Sequence, residues 1–297
     1  MLKKIRGVIS LSRWKEVFDS TIAITLASLL FAGGGLGSLF FIILFANLVA
    51  MTYAFMINDV EDAVEDSKDI KKRLRNPICN GSLTRKEGLI VSNLFLLVSL
   101  SAYAYIAYLV GSWTLFLTGA FTLLVFFLYS YRGVRLKNIP VLDMLTHMYM
   151  LGGAIFLITH LAFSSTMSIY ALVAFMVILC CSGYGQLENE LRDFSTDKKC
   201  GMRTTAIVIG KKKAKTLEAL LLGLALLGVL FIGASLENLA EYAKVYLASF
   251  AIIFAFPLLR FISDRKFDIK RWFQGSLVIS LIATAVWILY TAQKLVF

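Results

Sequence analysis

The sequence is short of the residues that break helices, cross-link chains or carry charge. Only 3 prolines interrupt 297 residues, so long helices are permitted almost everywhere, because proline removes a backbone donor and kinks a helix. Two histidines, His147 and His160, are too few ligands for a histidine-rich membrane di-iron site. The 4 cysteines include the adjacent pair Cys180 and Cys181 inside one apolar run, and they supply neither a disulfide framework nor zinc-ligand spacing. Charged residues reach only 16%, well under the ~25% of soluble domains.

Apolar residues fill the space. Hydrophobic types make up 59% and mean hydropathy is +0.77, beyond the 45–50% apolar content typical of about every soluble domain. Crossing a bilayer takes about 20 mostly apolar residues, and such runs fall at 17–36, 38–57, 88–110, 113–131, 140–161, 168–187, 215–235, 241–261 and 273–293. The runs are continuous rather than alternating, which excludes a β-barrel. The expected fold is all-α: a polytopic membrane protein with nine transmembrane helices in one bundle, a central cavity open to the cytoplasmic side, and a single domain over 1–297.

With the N-terminus placed in the cytoplasm, 28 of the 30 lysines and arginines fall on the inner side, and only Lys244 and Lys294 do not. That bias orients short loops. The expected location is the cell membrane, with the lipid bilayer as a partner. The net charge of +11 is explained by basic inner loops facing anionic lipid, so no nucleic acid is expected. The first twenty residues mix Lys3, Lys4, Arg6, Arg13 and Lys15 with Leu2, Ile5, Ile9, Trp14 and Phe18, an amphipathic interfacial pattern with no evident cleavable signal. The glycine run Gly33, Gly34, Gly35 and Gly37 reads as a tight turn, because no Lys-Ser/Thr follows to make a phosphate loop.

Against this background one pattern appears twice, each time at the end of an apolar run. N-[DE]-x-x-D-x-x-x-D is formed by Asn58, Asp59, Asp62 and Asp66, and again by Asn189, Glu190, Asp193 and Asp197. Steps of three and four residues stack side chains on one helix face, so each copy is expected to be an acidic ridge. Clustered carboxylates repel one another and call for a multivalent cation. Oxygen ligands without histidine or thiolate suit Mg²⁺, which completes its shell with water and substrate phosphate. A polar cation site at the mouth of an apolar bundle fits a substrate with a diphosphate head and a hydrocarbon tail, an isoprenyl diphosphate.

The neighbouring loops carry Lys68, Lys71, Lys72, Arg73 and Arg75, then Arg132, Arg135 and Lys137, and finally Arg192, Lys198 and Lys199. Lys68, Arg75, Lys137, Arg192 and Lys198 are the expected diphosphate contacts, with Arg192 and Lys137 ranked first. A reacting allylic cation needs a dry, π-rich wall. Tyr53, Tyr129 and Tyr149 are candidates for it. Asn47 lies three turns before Asn58, and Gln186 one turn before Glu190, each on the face of its motif. Asp143 and His147 form an i,i+4 pair that either orients an acceptor or satisfies itself within the helix.

The first motif is followed by Arg75, Asn76, Pro77 and Ile78 and then by Gly81, Ser82, Leu83 and Thr84. The second continues through Gly201 and Thr204, and Tyr129, Ser130, Lys137 and Pro140 lie between. Together these resemble the signatures of the UbiA superfamily of intramembrane prenyltransferases over nearly the whole chain. The resemblance implies a Mg²⁺-dependent transfer of a polyprenyl group from an isoprenyl diphosphate to an aromatic, quinone-precursor type acceptor, with diphosphate released. It implies two ions, held by Asn58, Asp59, Asp62 and Asp66 on one side and by Asn189, Glu190, Asp193 and Asp197 on the other. Asp59, Asp62, Asp193 and Asp197 would be the catalytic carboxylates. Transfer to a glyceryl phosphate ether lipid precursor, a terpene cyclase on the same scaffold and a cation-coupled transporter are the alternatives. A transporter would carry its acids in mid-span, whereas here they stand at span ends.

Overall fold

The computed structural model describes residues 2–234. Within them every regular element is helical, in the order α1 (Leu2–Ser12), α2 (Trp14–Phe31), α3 (Ser38–Glu61), α4 (Ala63–Asp66), α5 (Ile70–Arg75), α6 (Arg85–Val110), α7 (Trp113–Ser130), α8 (Leu142–Met148), α9 (Ala154–Phe163), α10 (Ile169–Lys199), α11 (Thr205–Ile209) and α12 (Lys211–Ala234). Six segments are long and apolar enough to cross a membrane: α3, α6, α7, α8 with α9, α10 and α12. The chain is an integral membrane protein. The runs at 241–261 and 273–293 lie outside the described residues.

The first expected span is altered at both ends. Helix α2 begins earlier and takes Lys15, Glu16 and Asp19 into its first turns, and it stops at Phe31 because the chain turns at Gly33, which has φ 69°. The expected span at 140–161 is two helices, α8 and α9, joined by a π-turn at Tyr149–Gly153. Gly152 and Gly153 let α10 approach there, since an added Cβ would meet Ile178 at 2.7 Å and Leu179 at 2.8 Å.

Helix α3 is the axis of the bundle, packed by α2, α6, α7 and α9. Its most apolar window is 67% buried, against 22% for the lipid-facing α6. Its core includes Ile43, Ala46, Ala50, Tyr53 and Ile57, packed with Tyr103, Ile106, Leu123 and Phe126. Close approach of α6 and α7 depends on Gly119, where a Cβ would lie 2.6 Å from the Tyr103 ring. A second cluster joins α10 and α12 through Val177, Leu187, Leu221, Leu222 and Ala225.

Helix ends are set by local chemistry. Thr84 and Glu87 form a reciprocal cap at the start of α6, and Gly111 closes it in the left-handed conformation. The 31 residues of α10 rise about 1.5 Å each, for a length of about 46 Å, against a hydrocarbon core of ~30 Å. Its last turns, which carry the second acidic motif, therefore stand beyond the apolar slab.

Candidate active site

Both acidic motifs come to the same end of the bundle, and cations hold them together. Asp69 caps α5, accepting the backbone N–H groups of Lys71 and Lys72 at 2.8 and 2.9 Å. This short helix aims Lys72 across to the second motif, where its Nζ donates to Asp193 Oδ2 at 3.0 Å. Asp66 and Asp197 lie within its field as well. The bridge spans both halves of the chain. Burial opposes the charge on Lys72, but the bond to Asp193 together with the charges of Asp193, Asp197 and Asp66 outweighs it and raises the ammonium pKa above the ordinary lysine value.

The first motif is two faces rather than one ridge. Successive residues on a helix point about 100° apart, so Asn58 and Asp62 face one way while Asp59 faces another. On the first face, Lys137 Nζ donates to Asn58 Oδ1 at 2.9 Å and to both Asp62 oxygens at 2.5 Å. Arg135 adds a bond to Asp62 at 3.2 Å, and Ser130 Oγ donates to Asn58 at 3.2 Å. Lys137 is buried beneath these groups, with its ammonium 5.9 Å from the Tyr129 ring centre.

On the second face, Asp59 is fully buried and its Oδ1 accepts from Arg75 at 3.2 Å, with Arg13 at 3.6 Å. Asn76 ties this face together, donating to the Asp59 carbonyl at 2.7 Å and to Asp66 Oδ2 at 2.9 Å. Pro77 disfavours the helical region for the residue before it, and Asn76 is extended with ψ 117°, which ends α5 and turns the amide inward. Burial pushes the Asp66 carboxyl above its ordinary pKa despite the Asn76 bond.

In the second motif Asp193 and Asp197 are half-buried, while Asn189 is exposed. Glu190 is buried and engaged, accepting from Gln186 Nε2 at 2.8 Å and from the Ala206 N–H at 2.8 Å. Among the described residues Arg192 bonds its neighbour Asp193, at 3.4 Å, and Lys68 and Lys198 are exposed. Among the five expected diphosphate contacts, the structure brings Lys137 and Arg75 onto the motifs. Lys72 and Arg135 stand beside them.

Among the described residues no three histidine, cysteine, aspartate or glutamate side chains converge closely enough to form a metal site. Lysines and arginines occupy the carboxylates instead. The donor set offered by Asn58, Asp62, Asp66, Asp193 and Asp197 is nevertheless oxygen only. That chemistry fits a hard cation.

The expected cavity residues separate into two groups. Asn47 is a helix joint: buried on α3, it donates to Thr25 at 3.1 Å and Thr159 at 2.9 Å and accepts from Tyr103 at 3.1 Å. Tyr53 lies in the same core, and Tyr149 shares a hydrogen bond with Thr122 at 2.8 Å. Asp143 does not pair with His147. Its Oδ2 accepts the Thr205 N–H at 2.5 Å, its Oδ1 bonds the Thr205 hydroxyl, and Val141 N–H donates to Thr205 Oγ1 at 2.7 Å. His147 lies by Ser182, its Nδ1 3.4 Å from Oγ, and 6.5 Å from the Tyr129 ring. Tyr129 and His147 thus continue inward from Lys137. Periodicity gave no sign of Arg13, Ser130, Thr205 or Asn76 as neighbours of the motifs, although Ser130 and Asn76 stand among the residues that carry the resemblance.

The signature of the UbiA prenyltransferase family matches residues 21–282. A UbiA homolog from Archaeoglobus fulgidus bound to GPP and Mg²⁺ superposes with a TM-score of 0.71 at 18% identity, covering 96% of each chain. An apo UbiA homolog from Aeropyrum pernix K1 gives 0.75 at 16% identity, over 94% of this chain and 99% of that one. A digeranylgeranylglyceryl phosphate synthase gives 0.66 at 17% identity, over 95% of each. No curated protein sequence matches. With paired acidic motifs closing one end of a helical bundle and the family signature running through both, the chain belongs to the UbiA prenyltransferase family.

Proposed function

We propose that the protein transfers a polyprenyl group from an isoprenyl diphosphate to an aromatic, quinone-precursor type acceptor, releasing diphosphate at the cytoplasmic end of the bundle. The observation that carries this reading is the Lys72 bridge between the two acidic motifs. Lys72, in the helix that follows the first motif, bonds Asp193 while it feels the charges of Asp66 and Asp197, which supports a polar site shared by the two motifs. The Archaeoglobus relative binds GPP and Mg²⁺, and Mg²⁺ suits the oxygen donors here.

Asn58, Asp62 and Asp66 would hold the ions from one side and Asp193 and Asp197 from the other. Asp59, fully buried on the other face of α3, and Glu190, buried and held by Gln186 and the Ala206 N–H, would instead fix the helix ends that carry the ligands. Bound Mg²⁺ supplies charge neutralisation of the leaving diphosphate. The protein's own cations supply the rest. Lys137 and Arg135 are engaged by Asp62 and Lys72 by Asp193, and they are the groups positioned to turn to phosphate oxygens once those carboxylates bind metal. As the C–O bond breaks, the allylic cation would be shielded by the Tyr129 ring, which lies 5.9 Å from the Lys137 ammonium and 6.5 Å from the His147 ring. The acceptor attacks the cation there and gives up its ring proton to the departing diphosphate or to water, so no enzyme nucleophile is needed.

A glyceryl phosphate acceptor is the second reading, supported by the likeness to a digeranylgeranylglyceryl phosphate synthase. Its extra phosphate would draw on the exposed Lys68, Arg192 and Lys198. Purified protein given geranylgeranyl diphosphate, Mg²⁺ and a panel of aromatic and glyceryl phosphate acceptors separates the two by the product formed. Prenylation of an aromatic acceptor alone supports the first reading, and prenylation of glyceryl phosphate alone replaces it with the second.

A further inference from the structure

The family signature starts at residue 21, yet a residue ahead of it reaches the first acidic motif. Helix α1 exposes Leu2, Ile5 and Ile9, with Trp14 and Phe18 exposed just after it, the pattern of a helix lying in a membrane surface. Its other side is seated on the bundle. Leu11 packs with Met56, Val60 and Leu83, Lys4 pairs with Glu87, and Ser10 Oγ donates to the Arg75 carbonyl at 3.0 Å. Gly7 allows the contact, because a Cβ there would lie 2.9 Å from Leu83 Cγ and 3.2 Å from Ser82 Cβ.

The seat ends at Arg13, which takes the left-handed conformation with φ 46° and ψ 36°. A residue with a side chain is strained there, and the strain turns α1 sharply into α2. The side chain goes inward. Its guanidinium is 4.6 Å from the Phe55 ring centre and its Nη1 is 3.6 Å from Asp59 Oδ1, with only 17% of the side chain exposed. Arg75 Nη2 shares that oxygen at 3.2 Å.

We propose that Arg13 is a positioning residue for prenyl transfer, delivered by the surface-seated N-terminal helix to hold Asp59, and through Arg75 and Asn76 the carboxylate of Asp66, in register with the second motif. Arg13 does not touch substrate. It fixes a buried carboxylate that would otherwise face Arg75 alone, and Asn76 carries that constraint from the Asp59 backbone to Asp66. Loss of the guanidinium frees the α3 end and α5 to shift against each other, which spoils the spacing of metal ligands rather than removing one. The proposal rests on the prenyl-transfer reading above.

The test is binding of Mn²⁺ with inorganic diphosphate to the full chain, read by electron paramagnetic resonance, alongside KM and kcat for geranylgeranyl diphosphate. Arg13→Gln is expected to weaken binding and raise KM about tenfold, as befits one charged contact, with kcat changed far less. Arg13→Lys keeps the charge and is expected to recover part of the affinity. Arg13→Gly suits the left-handed backbone and so removes the side chain without strain, and it is expected to behave as Arg13→Gln does. Gly7→Leu, which pushes α1 off Leu83 while leaving Arg13 in place, is expected to weaken binding as well. Wild-type affinity in Arg13→Gln and Arg13→Gly overturns the role of Arg13, and wild-type affinity in Gly7→Leu overturns its delivery by α1. A wild-type protein that releases no diphosphate with any acceptor overturns the transfer reading instead, while the Mn²⁺ series still judges Arg13.

Discussion

Neighbouring carboxylates at this site answer to different partners, and their protonation should differ accordingly. Burial pushes Glu65 up, but its bond to Arg135 and the nearby Arg132 outweigh that and leave its pKa below the usual range. Its contribution to stability is present above the ordinary glutamate pKa and is lost only as pH falls through the depressed value. Asp66 has the opposite sign. Burial raises its pKa, so folding penalises its ionised form, and protonation on the way down stabilises the fold. Binding of Mn²⁺ alone, without diphosphate, should therefore weaken at a higher pH than an ordinary aspartate would impose. In Asp66→Asn that acid-side loss should flatten. The residue types of the motif were legible from spacing. The split between Asn58 with Asp62 and Asp59 with Asp66 was not, because it depends on where Lys137 and Arg75 approach from, and these come from other elements.

Helices were legible wherever an apolar run met a cap, as at Thr84 and Gly111. Breaks inside runs were not. The π-turn at Tyr149–Gly153 lies where α10 packs against Gly152 and Gly153, a contact between distant residues that the continuous apolar run did not announce. Asn47 shows the same limit, since its position three turns before Asn58 suggested the cavity, whereas Thr25, Thr159 and Tyr103 make it a joint of four helices. Asn47→Ala leaves those groups unpaired, and each buried orphan costs about 1–3 kcal/mol. The expected result is a lower thermal midpoint with KM for prenyl diphosphate unchanged. Gly119→Leu should likewise part α6 from α7 at Tyr103, costing about 1–3 kcal/mol by overpacking, measured as a drop in the unfolding midpoint.

At the scale of the molecule, the site is assembled where three connections meet: the α3 to α6 segment with Lys72 and Arg75, the α7 to α8 segment with Arg135 and Lys137, and the α10 to α12 segment with Thr205. The last two are laced together. Thr205 accepts from Val141, which is itself strained at φ 71°, and bonds Asp143, while the Arg203 N–H donates to Asn138 Oδ1 at 2.7 Å. A strained β-branched residue persists only where its surroundings fix it. Thr205→Val removes the hydroxyl at nearly constant volume and should raise KM for prenyl diphosphate several-fold, whereas Thr205→Ser should stay near wild type. The repeated acidic motif announced from sequence that two helix ends act together. What laces them could not be read, because its residues are single polar groups in loops with no repeat to mark them.

The pairing of the two motifs across one metal–diphosphate group is best tested by diphosphate release from geranylgeranyl diphosphate in the presence of acceptor, comparing wild type with Asp62→Ala and Asp193→Ala. Release should require Mg²⁺ and should fall by at least about 10²–10³ in each folded variant, the scale of losing one well-placed electrostatic contact. Near-normal release by either variant, or release indifferent to removal of Mg²⁺, would contradict that pairing.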